Sequence, residues 1–183
     1  MGRSNRLGLF GYRVAGAAVL NGGMYEELEA NPATTTEALA VVVLASLAWG
    51  IGAAGWGGSD LRTIAIATVV AIILWMAWAM LAFQVGTRLL AGPRTHATWG
   101  ELLRTTGFAA SPGLLSLLAP LSGSSALVLT ASLIWTFAAM VVALRHALDY
   151  GGLSRALAVC AVSATLVAAL AGIVGVIWPR AVA

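Results

Sequence analysis

Apolar and polar positions fall in long blocks along this chain, without the amphipathic rhythm of a soluble domain. Five apolar stretches, at about 36–56, 61–85, 105–120, 126–144 and 155–177, are parted by short polar turns. The pattern predicts an all-α membrane bundle of five transmembrane helices. Each boundary carries a local signal. Thr34 or Thr35 supplies a cap for the first stretch, with Glu37 in its first turn. Gly57-Gly58-Ser59-Asp60 reads as a tight turn whose Asp60 caps the second helix, which runs on toward Leu90. Thr98-Trp99-Gly100-Glu101 fits a capping box, so the third helix starts near Trp99. Ser111-Pro112 breaks or kinks it. Ser122-Gly123-Ser124-Ser125 turns the chain into the fourth helix, expected to continue to Tyr150. Gly151-Gly152 stops that helix and Ser154 caps the fifth. The third stretch spans only about 24 Å at the α-helical rise, short of a hydrocarbon core of about 30 Å. It is therefore expected to be short, tilted or kinked at Pro112.

Residues 1–35 are expected to form a cytoplasmic N-terminal segment, and 36–183 the five-helix domain. Leu7, Phe10, Val14 and Ala18 recur at helical spacing, as in a short helix lying on a membrane surface. Arg13 interrupts that run, which argues against a cleaved signal peptide. Met24 to Glu29 reads as an acidic helical turn or two, ended by Asn31-Pro32.

Composition agrees with the pattern. Apolar residues make up 60% and charged residues 9%, against about 25% charged in a soluble domain. An ordinary cytosolic domain and a disordered chain are excluded. The net charge of +3 is scattered, so no nucleic-acid surface is expected. All 10 basic residues besides histidine are arginine, a usage that fits a GC-rich bacterial genome and a bacterial cytoplasmic (inner) membrane. Cys160 is read as a small core residue. With five spans, arginines gather on the N-terminal side, and only Arg62 and Arg180 fall opposite. That asymmetry predicts an N-in, C-out chain. A re-entrant third stretch gives a weaker bias.

Catalytic signatures are missing. The expected span interiors beyond Glu37 carry no ionisable side chain, which disfavours a proton-coupled pump. Gln84 is read as an interhelical hydrogen-bonding group. There is no phosphate-binding glycine loop, HExxH or nucleophile elbow, and His96 and His146 lack partners at metal spacing. No cofactor is expected. The remaining polar groups form a candidate partner or docking cluster on the cytoplasmic side: Glu26, Glu27, Glu29, Arg104, Arg145, Asp149 and Arg155. Arg145 and Asp149 are spaced for an i, i+4 pair that Arg155 could join, and the acidic segment is expected to dock on Arg104, Arg145 or Arg155. Gly50, Gly52 and Gly55 in the first span, and Ala168, Gly172 and Gly175 in the fifth, suit close helix packing. Trp49, Trp75, Trp78 and Trp135 are read as filling gaps between helices.

Three segments carry a resemblance: MYEELEANPATTTEALAVVVLASLAWGIG, TWGELLRTTGFAASPGLL and RHALDYGGLSRALAVC. Together they resemble the bacterial branch of the Yip1-domain family, from about Met24 onward. The resemblance implies an N-in, five-span fold. Eukaryotic relatives act in vesicle traffic and associate with Rab GTPases through a long cytosolic region. The Asp-Leu-Tyr-Gly-Pro motif of that branch is not present here, so Rab binding is not implied. The leading expectation is a non-enzymatic accessory subunit, scaffold or assembly factor. Its expected partners are membrane lipids and other integral membrane proteins or a second copy. The alternative is a transporter or channel for a small neutral or lipid-like solute, suggested by the kinked third stretch. A lipid-modifying enzyme using His96, His146 or Asp149 is disfavoured.

Overall fold

The computed structural model describes residues 3–54, 60–93 and 95–182, with side chains placed for 6–53, 60–93 and 95–172. The expected turn at Gly57–Ser59 and the side chains of Gly175 and Arg180 lie outside these residues. Every described regular element is helical. In chain order they are α1 (Arg3–Ala18), α2 (Gly22–Ala30), α3 (Thr35–Ala54), α4 (Leu61–Gln84), α5 (Trp99–Ala109), α6 (Ser125–Ala147) and α7 (Leu153–Val182). Among the described residues four segments are long and apolar enough to cross a membrane: Pro32–Ala53, Leu61–Leu89, Ser125–Ala147 and Leu153–Gly172.

The capping chemistry sets most of these boundaries. Asp60 accepts from the Thr63 amide at 2.9 Å and starts α4. Thr98 and Glu101 form the expected capping box on α5. Asn31, rather than a threonine, opens the next turn, accepting from the Ala33 amide at 3.1 Å over a 3₁₀ turn at Pro32–Thr34. Two expected boundaries differ. α6 stops at Ala147, not Tyr150, because Asp149 adopts a left-handed backbone with φ 51°. α7 begins at Leu153, so Ser154 sits inside its first turn and does not cap it. Beyond Gln84, α4 widens into a π-turn at Val85–Leu89. Tyr150 Oη donates to the carbonyls of Gly86 at 2.8 Å and Leu90 at 3.0 Å, supplying partners that the irregular turn lacks.

The third apolar stretch is not one helix. α5 passes into a 3₁₀ run at Ser111–Leu121. Pro112 has no amide hydrogen and disfavours α geometry at Ser111, so the α ladder stops there. Ser132 Oγ on α6 donates to the Pro112 carbonyl at 3.0 Å. The composite segment is packed between α3 and α6, with Thr105 to Gly113 buried throughout. Its first turns lie beside α2, where Arg104 reaches the carbonyls of Leu28 and Glu29. Its last turns lie beside the far end of α3, where Ser116 meets Gly52, and beside the start of α6, where Ser125 Oγ donates to Ala119 at 2.8 Å.

Glycines let these backbones close up. A Cβ on Gly107 would stand 2.9 Å from Ala38 Cβ, and one on Gly52 would collide with the Ser116 carbonyl. Gly172 faces open space instead. Gly52→Ala should therefore cost about 1–3 kcal/mol by overpacking, whereas Gly172→Ala should be neutral or slightly stabilising. Thermal unfolding midpoints of the two variants in one detergent check this, and equal midpoints would refute the assigned packing. Cys160 is fully buried, as expected of a core residue. Trp75 and Trp78 pack on the core, and Trp49 lies against Gly113. Trp135 is 41% exposed, yet its Nε1 donates at 2.7 Å to the Ala18 carbonyl, satisfying the open end of α1. Gln84 Oε1 is buried with no hydrogen-bond partner among the described residues, so the interhelical bond expected of it is not made through that atom there.

Candidate functional site

Polar side chains converge where α2, the end of α6 and the start of α7 meet. α2 is acidic and short, and three contacts pin it in place. Tyr25 Oη donates to the Ala17 carbonyl at 2.9 Å, and burial holds that phenol well above its ordinary pKa. Arg104, 8% exposed, donates from Nε to Leu28 at 3.1 Å and from Nη2 to Glu29, both to backbone carbonyls at the end of α2. Arg13, 7% exposed, donates to Glu27 at 3.1 Å and to Glu37 at 3.0 Å, joining α1, α2 and α3 through one guanidinium.

These contacts split the expected cluster. Glu27 belongs to the Arg13 triad. Arg104 does receive the acidic segment, but through its carbonyl end and not through a carboxylate. Arg145 and Asp149 do not form the expected i, i+4 pair, because α6 ends between them and the chain turns left-handed at Asp149. The described arginine ion pairs are Arg13–Glu27 and Arg13–Glu37, and His146 lies beside Glu26, pairing with it only when its imidazole is protonated. Arg145, Arg155, Glu29 and Asp149 take no part in them. Instead, all four line one open cleft of about 640 Å³, together with Glu26 and His146. His146 stacks on Tyr25 with ring centroids 6.1 Å apart, and its Nδ1 lies 3.6 Å from Glu26. Arg155 lies over Gly92, where a Cβ would come within 2.6 Å of Nη1.

The acidic wall is electrostatically loaded. Burial, then the like charges of Asp149, Glu101 and Glu26, push the Glu29 carboxyl up to about 7 against the opposing pull of Arg104. A carboxyl whose pKa is raised by folding favours the protonated folded state. Its contribution is thus largest below the ordinary value of 4.5 and is lost as pH rises through about 7. Glu29→Gln should therefore stabilise the protein at pH 8 more than at pH 4. Unfolding midpoints across that range check it, and a parallel pH profile for the variant would count against this assignment.

Arg13 is the structural residue that sequence reasoning missed. Its signal was present: an arginine between Phe10 and Val14 falls on the face that packs against the core. A charge buried on an apolar helix face needs a counter-charge, and the neighbouring segments offered several carboxylates, of which Glu27 and Glu37 supply it. Among the described residues no group of three His, Cys, Asp or Glu side chains is placed to hold a metal ion. Comparison with known protein families, characterised proteins and solved structures finds no match to this chain.

Proposed function

We propose that this protein is a non-enzymatic integral membrane accessory subunit or scaffold, with five crossings and an N-in, C-out topology like the Yip1-domain fold it resembles. The observation that carries the reading is the sparse coverage of the outer helices. Only 11% of the most apolar window of α4 is buried within the chain, and 22% of that of α7. Ile66, Val69, Val70 and Ile73 stand exposed along α4. In a membrane such a face meets either lipid or the helix of a partner.

The composite segment supports the fifth crossing. Eleven residues of α-helix and 11 of 3₁₀ helix have a summed axial length of about 38 Å at rises of about 1.5 and 2.0 Å per residue. That exceeds a core of about 30 Å, and the two ends of the segment sit at opposite ends of the bundle. Arg13, Arg104, Arg145 and Arg155 share the α2 end, which supports placing that end on the cytoplasmic side of a bacterial inner membrane.

Gentle-detergent purification from native membranes tests the function. A cysteine at Ile73 allows cross-linking from the α4 face, since Cys160 is buried. A membrane partner at near-integer ratio, cross-linked through that position, is the expected result. Recovery of a homo-oligomer alone, without cross-links, would sink the accessory role. A second reading is favoured by one feature: an apolar cavity of about 340 Å³ lies between α3, α4 and α6, next to the break at Ala110. It suits a transporter for a small apolar solute, and solute flux into proteoliposomes above that of empty vesicles would favour it.

A further inference from the structure

We infer that the charged cleft binds a phospholipid headgroup carrying a primary amine, with its phosphate on Arg145 and Arg155 and its ammonium on Glu29 and Asp149. Three observations carry this beyond the scaffold reading. First, the cleft holds both signs of charge, and no described ion pair joins its arginines to its carboxylates. Arg145, Arg155, Glu26, Glu29 and Asp149 all line it, and among the described residues Arg145, Arg155, Glu29 and Asp149 take part in no ion pair. Second, the walls cannot collapse onto one another. α2 is pinned by Arg13, Arg104 and the Tyr25 hydroxyl, and the α6–α7 turn by the two hydrogen bonds of Tyr150. Charges held apart by a rigid frame are pre-organised for a ligand that carries the complementary pair.

Third, the position suits a lipid. The cleft is bounded by the last turn of α6 and the first turn of α7, where two membrane-compatible helices end. Headgroups occupy that level of a bilayer. Its volume of about 640 Å³ falls in the usual range for small-ligand sites, about 300–1,000 Å³. The chemistry follows from the side chains. Guanidinium groups bind phosphate through paired, charge-assisted hydrogen bonds. The Ser154 hydroxyl adds a further donor to the lining of the cleft. Carboxylates accept from an ammonium, and a trimethylated amine has no N–H to give them. The site therefore discriminates against choline lipids by lost hydrogen bonds and against glycerol lipids by lost charge.

The test is native mass spectrometry of the full chain, delipidated and then exposed to an equimolar mixture of phosphatidylethanolamine, phosphatidylcholine and phosphatidylglycerol with identical acyl chains. The wild type should retain the ethanolamine lipid about fivefold over each of the others. Glu29→Gln with Asp149→Asn should abolish that preference while phosphate lipids still bind. Arg145→Gln with Arg155→Gln should reduce retention of all three. Among the described residues none of these four side chains makes an ion pair, so the variants should keep their fold; the carboxamide pair alone remains decisive if the arginine pair does not. Equal retention of the three lipids by the wild type, or an unchanged preference in the carboxamide variant, would overturn the proposal. Stabilisation by soluble O-phosphoethanolamine without any lipid preference would overturn the lipid assignment and place the same chemistry on a free solute.

Discussion

Arg104→Met should lower stability by about 3 kcal/mol, from the loss of two charge-assisted hydrogen bonds at about 1.5 kcal/mol or more each. Methionine preserves most of the buried volume, so the loss isolates the polar contacts. The guanidinium does two jobs at one place. It satisfies the carbonyls of Leu28 and Glu29 at the end of α2, which have no further helical turn to accept from. It also sets a positive charge at the negative end of that helix, opposing the rise in the Glu29 pKa. Without it, α2 loses its anchor to α5 and the acidic wall of the cleft loses its position. Arg104→Lys should recover only part of the loss, because an ammonium cannot reproduce the planar fork. Two readouts check this. The thermal midpoint should fall, and cleavage by a glutamate-specific protease at Glu26, Glu27 or Glu29 should accelerate as α2 opens locally. An unchanged midpoint together with an unchanged cleavage rate would show that the contact contributes nothing.

Arg13→Met should cost about 2 kcal/mol, and Glu27→Gln with Glu37→Gln should restore most of it. Removing one partner of a fully buried pair costs about 3–5 kcal/mol. Here the side chains of Glu27 and Glu37 are 46% and 32% exposed, so water and salt repay part of that loss. Replacing the whole group with neutral side chains removes the stranded charges. The triple variant should thus unfold near the wild-type midpoint, while the single variant unfolds well below it. A triple variant no better than the single one would mean that Arg13 acts by packing its stem and not by its charge.

Both variants bear on the same frame. Arg13 and Arg104 hold the segment before the first long helix against α3 and α5, and that segment supplies one wall of the cleft. A loss of lipid selectivity in either variant would therefore follow from displaced geometry. The Glu29 and Asp149 pair separates that indirect effect from recognition itself.

The helical membrane class and most helix ends follow from residues close together in the chain. An apolar content of 60% and helix-length apolar blocks leave few folds available, since a backbone in lipid must satisfy its own hydrogen bonds. The Asp60 cap, the Thr98–Glu101 box and the break at Ser111-Pro112 were legible because each acts over three or four residues. Five of the seven candidate cluster residues do line one cleft: Glu26, Glu29, Arg145, Asp149 and Arg155. What they do there was not legible. The left-handed turn at Asp149 breaks a pairing that regular helix spacing would allow, and nothing local distinguishes that turn from one more helical step. Glu27 and Arg104 were diverted to partners distant in sequence, with 75 positions separating Arg104 from Glu29. The run of 3₁₀ helix after Pro112 likewise depends on its neighbours, because glycines and Ser132 on packed helices stabilise a geometry that is unfavourable alone. Short-range chemistry is written in adjacent residues, whereas the choice among several oppositely charged partners is made only when packing brings one of them within reach.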